Sequence, residues 1–155
     1  MPKVLRPASL GAPLGMYSHG MAATGEIVVV AGQVGIGADG VAGADVVAQT
    51  KQALANVGAV LEAGGCRWRD VVRLPTFLTS ADDIPAFVKA RTEVFPAYFR
   101  DGVYPTNTLV VVSRLVRPEL RVEIEAMAVR PARAGGPGRK TTAARRKPAR
   151  RSKRR

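Results

Sequence analysis

Apolar residues recur every three to four positions in two stretches of the chain, which is the spacing of amphipathic helices. The first stretch follows Asp45, a residue type that caps helix starts, and runs to about Ala63. Gly64 and Gly65 come directly after it, and glycine is the residue that most often ends a helix. The pattern predicts a helix over 45–63.

The same spacing predicts a second helix further along the chain. Its start is marked by Asp82 or Asp83 followed by Pro85, because proline is favoured in a first helical turn. Pro96 lies near its end, so we expect a kink in the last turns. The apolar stripe of this helix consists of Ile84, Phe87, Val88, Val94, Phe95 and Tyr98.

Short runs rich in β-branched residues predict strands elsewhere in the chain. Pro75 interrupts one run, which indicates a sheet edge or a bulge. Asp39 and Gly40 favour a tight turn, so the string Gly35–Gly40 predicts a hairpin better than a dinucleotide-binding loop. Residues 1–16 show little periodicity and predict an extended entry segment. The predicted strands are Glu26–Ala31, Val71–Thr79, Leu109–Leu115 and Leu120–Val129.

The order of these elements predicts an α+β fold in which two helices pack on one face of a mixed sheet. The runs Ile27–Ala31 and Leu109–Val112 are apolar at every position, which predicts burial on both faces. Two helices can cover only one face of a sheet with four to six strands. The other face then needs a second chain, and the pattern predicts a homo-oligomer.

Charge is distributed very unevenly along the chain. Eleven of the 24 Lys and Arg residues lie in 132–155, which contains none of the twelve Asp and Glu residues, so thirteen basic residues face twelve acids in 1–131. The segment 132–155 also has too few apolar residues to offset the entropy of ordering. We therefore predict a folded domain over 1–131 and a disordered basic tail over 132–155. Such a tail could contact nucleic acid nonspecifically through phosphates, or serve only solubility.

The sequence predicts a cytoplasmic protein with no membrane partner. Its single cysteine, Cys66, cannot form an internal disulfide, and the apolar runs are too short for a signal peptide or a bilayer span. His19 and Cys66 are also candidates for chemistry. Neither has a visible partner along the sequence, so an exposed loop histidine and an inert thiol are the favoured interpretations.

Five segments resemble the RidA/YjgF family in order and spacing. They are Leu14–Gly20, Val30–Gln33, Gln49–Asn56, Arg114-Leu115 and Val122–Val129. The resemblance implies a chorismate-mutase-like α+β fold assembled as a homotrimer, with small-molecule clefts between subunits. It also implies hydrolysis of reactive enamine or imine intermediates to 2-keto acids and ammonia, with no metal or organic cofactor.

The resemblance assigns roles to individual positions of this sequence. It implies that Glu123 orients the attacking water and that Tyr17 lies in the cleft. Ala31 stands where the family commonly has a small polar residue, which is a mild departure, and Gly32 matches the glycine that follows. Arg91 takes the position of an asparagine on the family's second helix. Without the resemblance, Glu123 and its neighbour Glu125 would be interpreted as a solvated or intersubunit salt-bridged stripe.

The loop before the penultimate strand departs from the family pattern. Its Pro-Ala-Arg motif ends in an arginine that grips the substrate carboxylate, since a guanidinium offers two parallel charge-assisted hydrogen bonds. Here the loop contributes Thr106, Asn107 and Thr108, and Asn107 takes the place of that arginine. Asparagine has neither the charge nor the pair of parallel donors of a guanidinium, so we expect an altered substrate preference.

Two hypotheses of different classes follow. The first is an imine or enamine deaminase that uses Glu123, Tyr17 and the 106–108 loop. The second is a non-catalytic trimer that binds a small ligand while its basic tails contact nucleic acid. The departure at Asn107 weakens the first hypothesis, and the position of the charge supports the second.

Overall fold

Residues 2–130 are described by the structure, a computed structural model. The predicted basic tail over 132–155 lies outside the described residues. The domain boundary near 131 therefore stays a prediction. None of the helices within 2–130 is long and apolar enough to cross a bilayer.

Both predicted helices are present; the cap predicted for the first forms, whereas Asp83 at the start of the second makes no side-chain capping bond and instead accepts from Arg121. Helix α1 covers Val46–Ala63, and the carboxylate of Asp45 accepts a hydrogen bond from the Ala48 amide at 2.8 Å. Gly65, just past its end, has a φ of +70°, which only glycine adopts without strain. Helix α2 covers Ile84–Tyr98, with Pro85 in its first turn and Pro96 inside its last turn.

Five strands form the main sheet, and each of the four predicted strands changes at one end or more; the first extends from Ala31 to Val34. Pro75 divides the predicted strand Val71–Thr79 into two short strands. The predicted strand Leu109–Leu115 ends at Val111, because its neighbour ends at Leu78 and leaves residues 113–115 without a strand to pair with. The last strand starts at Val122, since Leu120 belongs to a turn in which its amide donates to the Arg117 carbonyl at 3.2 Å. The strands are β3 Glu26–Val34, β4 Val71–Arg73, β5 Thr76–Leu78, β6 Leu109–Val111 and β7 Val122–Arg130.

Two further strands are absent from the predicted set, and the first of them lies in the entry segment 1–16. Strand β1, Lys3–Leu5, pairs antiparallel with β2, Gly20–Ala22, to form a separate two-stranded sheet. Strands of three residues are too short to show a periodic pattern. Their pairing therefore leaves no signal in the sequence.

The main sheet is mixed, as predicted. Its order is β3-β7-β5-β6, and β4 also pairs with β7. Strands β5 and β6 run parallel and the other pairs are antiparallel. The helices pack on one face, where the core includes Val30, Leu54, Val57, Leu61, Phe87, Phe95, Val122 and Ile124.

The opposite face of the sheet is apolar and uncovered within one chain. Ile27 and Val29 are 62% and 66% exposed, and their cross-strand partners are Val129 and Met127. Val30 points the other way into the core. The structure describes one chain, so burial of this face by a second chain stays a prediction. An uncovered apolar face is nevertheless what the predicted assembly requires.

Candidate functional site

Three of the predicted binding residues line one cavity between the entry segment and α2. Tyr17, Arg91 and Asn107 come from the entry segment, the middle of α2 and the loop before β6, respectively. The cavity has a volume of about 390 Å³, enough for a small metabolite. Its other lining residues are Leu14, Gly15, Met16, Val88 and Thr92.

Asn107 is held in place by its own amide group. Its Nδ2 atom donates to the Leu74 carbonyl at 2.6 Å and to the Thr76 hydroxyl at 3.3 Å. The opposite orientation of the amide would place Oδ1 against the Leu74 carbonyl, so the hydrogen-bond pattern fixes the assignment. Both amide hydrogens are used, and Asn107 can offer a ligand only its oxygen.

Arg91 is a buried cation that has no carboxylate partner within residues 2–130. The residue is 9% exposed, and its Nη2 atom donates to the Met16 carbonyl at 2.6 Å. Its guanidinium carbon lies 4.4 Å from the Phe95 ring centroid and 5.5 Å from that of Phe87. Its Nε atom is buried without any partner.

Burial lowers the pKa of Arg91 to about 10, while Tyr104 acts in the opposite direction. At neutral pH the side chain is therefore still positively charged. The cavity thus has one cationic wall, where Nε is fully buried and Nη1 makes no hydrogen bond within residues 2–130, and this arrangement favours binding of an anion.

Tyr17 forms a second polar edge of the cavity. Its hydroxyl oxygen accepts a long hydrogen bond, 3.4 Å, from the Leu14 amide, which leaves the hydroxyl hydrogen available to a ligand. Its ring meets that of His19 edge to face at 5.9 Å. His19 itself is exposed, with Nε2 2.9 Å from the Gly11 carbonyl oxygen, as expected for a loop histidine.

Glu123 and Gly32 lie together, but outside this cavity. Glu123 is on the open face of the sheet, cross-strand from Phe77 and Val34. A Cβ atom at Gly32 would overlap the Glu123 carboxylate, so a larger residue there would require this side chain to move. Ala31 is exposed beside them. Glu123 and the cavity are therefore on different faces of the sheet, because Asn107 bonds to Thr76, which is buried on the helix side.

The two threonines of the predicted loop hold the loop rather than line the cavity. The Thr106 hydroxyl donates to the Val72 carbonyl at 2.9 Å, and the Thr106 amide donates to the same carbonyl. The Thr108 carbonyl accepts from the Thr76 amide at 2.9 Å. These bonds fasten the loop to the broken strand β4–β5 and set the position of Asn107.

Sequence reasoning missed the aromatic residues around Arg91. Phe87, Arg91 and Phe95 are spaced by four residues on α2, so they share one helix face. An arginine between two phenylalanines on an apolar stripe was a detectable sign of a buried cation. The carbonyl of Met16, 75 positions away in sequence, left no such sign.

Cys66 does not have the properties of a nucleophile. Its side chain is 3% exposed, and burial raises the pKa of the thiol, with Asp70 adding to the effect and Arg130 opposing it. No group of three metal-ligating side chains lies together within residues 2–130.

Comparison with known proteins gives a consistent result. Residues 8–130 match the family model described as endoribonuclease L-PSP. A RutC family protein of Synechocystis is 34% identical over 132 residues, which are 83% of this chain and 97% of that protein. The 2-iminobutanoate/2-iminopropanoate deaminase of Escherichia coli K12 is 34% identical over 131 residues, covering 84% and 99%. Among solved structures, YyfB, a Rid family protein of unknown function from Yersinia pestis, superimposes with a TM-score of 0.70 at 34% identity, covering 83% and 98%.

Proposed function

Because the chain belongs to the RidA/YjgF family, we propose that it is a cytoplasmic deaminase that hydrolyses a C=N intermediate to a carbonyl compound and ammonia. The observation that carries this proposal is the cavity shared by Tyr17, Arg91 and Asn107. Relatives at 34% identity that cover nearly the whole domain are named as 2-iminobutanoate/2-iminopropanoate deaminases, which supports the same reaction type.

The proposed working form is a homotrimer with its clefts between subunits. Two observations support it. Ile27 and Val29 leave an apolar face uncovered. Glu123 and the cavity lie on different faces of one chain's sheet, so a shared cleft requires the Glu123 of one subunit to approach the cavity of another. Sedimentation of the protein as a well-folded monomer at micromolar concentration would contradict this arrangement.

In the proposed reaction, water adds to the C=N carbon while the Glu123 carboxylate accepts a proton from it. Glu123 passes this proton to the nitrogen, which gives a carbinolamine. The carbinolamine hydroxyl then loses its proton to the nitrogen as the C–N bond breaks, so that the C=O bond forms and ammonia leaves. Each turnover consumes one water and needs no oxidant or reductant. A positioned carboxylate base of this kind contributes roughly 10²- to 10⁴-fold.

Two glutamates on the same strand allow a matched test of this role. Glu123 and Glu125 are both half-buried. Because side chains alternate along a strand, these two residues, two positions apart, lie on the same face of β7. We expect Glu123→Gln to lower the rate of 2-iminopropanoate hydrolysis above the spontaneous rate by about a hundredfold or more. Glu125→Gln should stay within about twofold. Equal losses in both variants would contradict the assignment of Glu123 as the base.

Asn107 is the basis for proposing an altered substrate preference. It presents an oxygen where the family pattern has a guanidinium fork, so its contact to a substrate must be with an N–H or O–H group. Activity on freshly generated 2-iminopropanoate should therefore fall below that of a homologue with the loop arginine, and Asn107→Arg should raise it. Equal activity of the unmodified protein and such a homologue would contradict this interpretation.

A second candidate function is nonspecific nucleic-acid binding by the tail of a trimeric ligand-binding protein. The specific observation is the placement of eleven basic residues and no acid in 132–155. Three tails in one trimer would act together. A gel shift at physiological salt should show weaker RNA binding for a chain truncated after Pro131. Equal affinity of both forms would remove the tail from the proposal.

A further inference from the structure

Arg91 carries a charge for which the described fold provides no counterion. Burying a guanidinium is costly unless it is paired, and the usual partner is a carboxylate. Here one donor bonds to the Met16 carbonyl, and the Nε donor has no partner. The rings of Phe87 and Phe95 cover the guanidinium face and hold its plane without neutralising it.

The position of Arg91 connects this unpaired charge to the cavity. Arg91 lines the same space as Asn107 and Tyr17. Asn107 is neutral there and offers only an oxygen, while Tyr17 has a hydroxyl hydrogen free. The cavity walls therefore combine a cationic donor, a neutral donor and one acceptor.

We propose that Arg91 is the anion anchor of this cavity, binding the carboxylate of the ligand from α2 while the Asn107 oxygen accepts a hydrogen bond from the ligand's nitrogen. The inference rests on the cavity being the substrate site of the proposed function. A carboxylate is the anion that fits best, because it accepts two parallel hydrogen bonds from one guanidinium. A phosphate would call for more donors than these walls supply.

In this arrangement the carboxylate lies against α2 instead of against the loop before β6. The reacting carbon then occupies a different position from the one it has when a loop arginine binds the carboxylate. The altered substrate preference proposed above then concerns the shape of the substrate. The substrate must still carry a carboxylate.

Equilibrium binding to the full chain tests the proposal without requiring turnover. The probes are 2-oxobutanoate and its neutral amide, 2-oxobutanamide, titrated calorimetrically at fixed ionic strength. We expect Arg91→Met to weaken binding of the carboxylate by about tenfold or more, as loss of a charged hydrogen-bonded pair predicts. Binding of the amide should change by less than about twofold.

Lys89→Gln is the matched control, because Lys89 is an exposed cation two residues away on the same helix. It should bind the carboxylate like the unmodified protein, which excludes a general effect of net charge. Arg91→Lys keeps the charge but not the fork, and it should retain intermediate affinity. It also serves as the test variant if Arg91→Met does not fold.

Three results would overturn the proposal. They are undiminished carboxylate binding by folded Arg91→Met and Arg91→Lys, equal losses for carboxylate and amide, and the absence of carboxylate binding by the unmodified protein. Arginine-dependent binding without imine hydrolysis would support the anchor and refute only the deaminase function.

Discussion

Gln49 on α1 and Arg91 on α2 are both buried polar residues, but their surroundings differ. Gln49 is 2% exposed, and its amide donates to the Gly43 and Glu119 carbonyls, each at 3.0 Å. Its oxygen accepts from the Arg121 amide at 2.8 Å. Arg91 is also buried, yet it retains an unpaired donor and an unpaired charge.

The difference separates a structural role from a ligand-binding role. Gln49 satisfies three backbone groups that otherwise lack partners, and it joins the start of α1 to two loops. Asn56, one of the same family-like residues, likewise donates to the Val34 and Ile36 carbonyls. These residues make the resemblance recognisable, but they stabilise the fold. Of Gln49 and Arg91, only Arg91 has an unsatisfied buried donor, and Arg91 lines the cavity; the Thr50 hydroxyl on α1 is also buried without a partner within residues 2–130, but it does not line this cavity.

The largest effect on stability is expected at Gln49. Gln49→Ala leaves the Gly43 and Glu119 carbonyls and the Arg121 amide without their partner, so we expect the free energy of unfolding to fall by about 2–4 kcal/mol. Urea denaturation measures it. Gln52→Ala, which loses only a side-chain bond to Asn56, should cost less than about 1 kcal/mol. Similar losses for both variants would mean that the Gln49 network is not a special source of stability.

A much smaller change in stability is expected at Arg91. Arg91→Met removes an unpaired buried charge along with one hydrogen bond and the ring contacts, and these effects oppose each other. The free energy of unfolding should change by less than about 1.5 kcal/mol in either direction, measured by the same urea titration. A loss as large as that of Gln49→Ala would show that Arg91 is chiefly a structural residue.

The smallest effect concerns Cys66, a buried group that avoids charge by keeping its proton. Because burial raises the pKa of its thiol in the folded state, the folded chain holds this proton to higher pH than the unfolded chain does. The corresponding stability is fully present below the ordinary thiol pKa and is lost as the pH rises through the raised value. Cys66→Ala should therefore lose less stability between neutral and alkaline pH than the unmodified protein.

Alkylation provides an independent measurement of the same thiol. At pH 8 the folded protein should react with iodoacetamide about tenfold or more slowly than the denatured chain, because little thiolate forms and the side chain is buried. Rapid alkylation of the folded protein would contradict this environment.

Signals that act over a few residues were enough to predict most of the fold. The Asp45 cap, the glycines after Ala63 and the start of α2 at Pro85 each work through neighbouring backbone groups, so the helices could be placed from the sequence. Pro75 predicted a sheet edge or a bulge, whereas in the structure it separates β4 from β5. Pairings of three-residue strands, such as β1 with β2, could not be predicted because so short a strand shows no periodicity.

The sequence by itself determined the helices, the mixed α+β order and the substitution at Asn107. Only the tertiary structure decided what the buried groups face. In the folded chain the Asn107 amide donates to Leu74, and Arg91 lines a cavity without a carboxylate partner within residues 2–130. Glu123 lies on the opposite face of the sheet. Those outcomes depend on contacts between residues tens of positions apart, and hydrogen-bond satisfaction and desolvation are settled only when such distant groups meet.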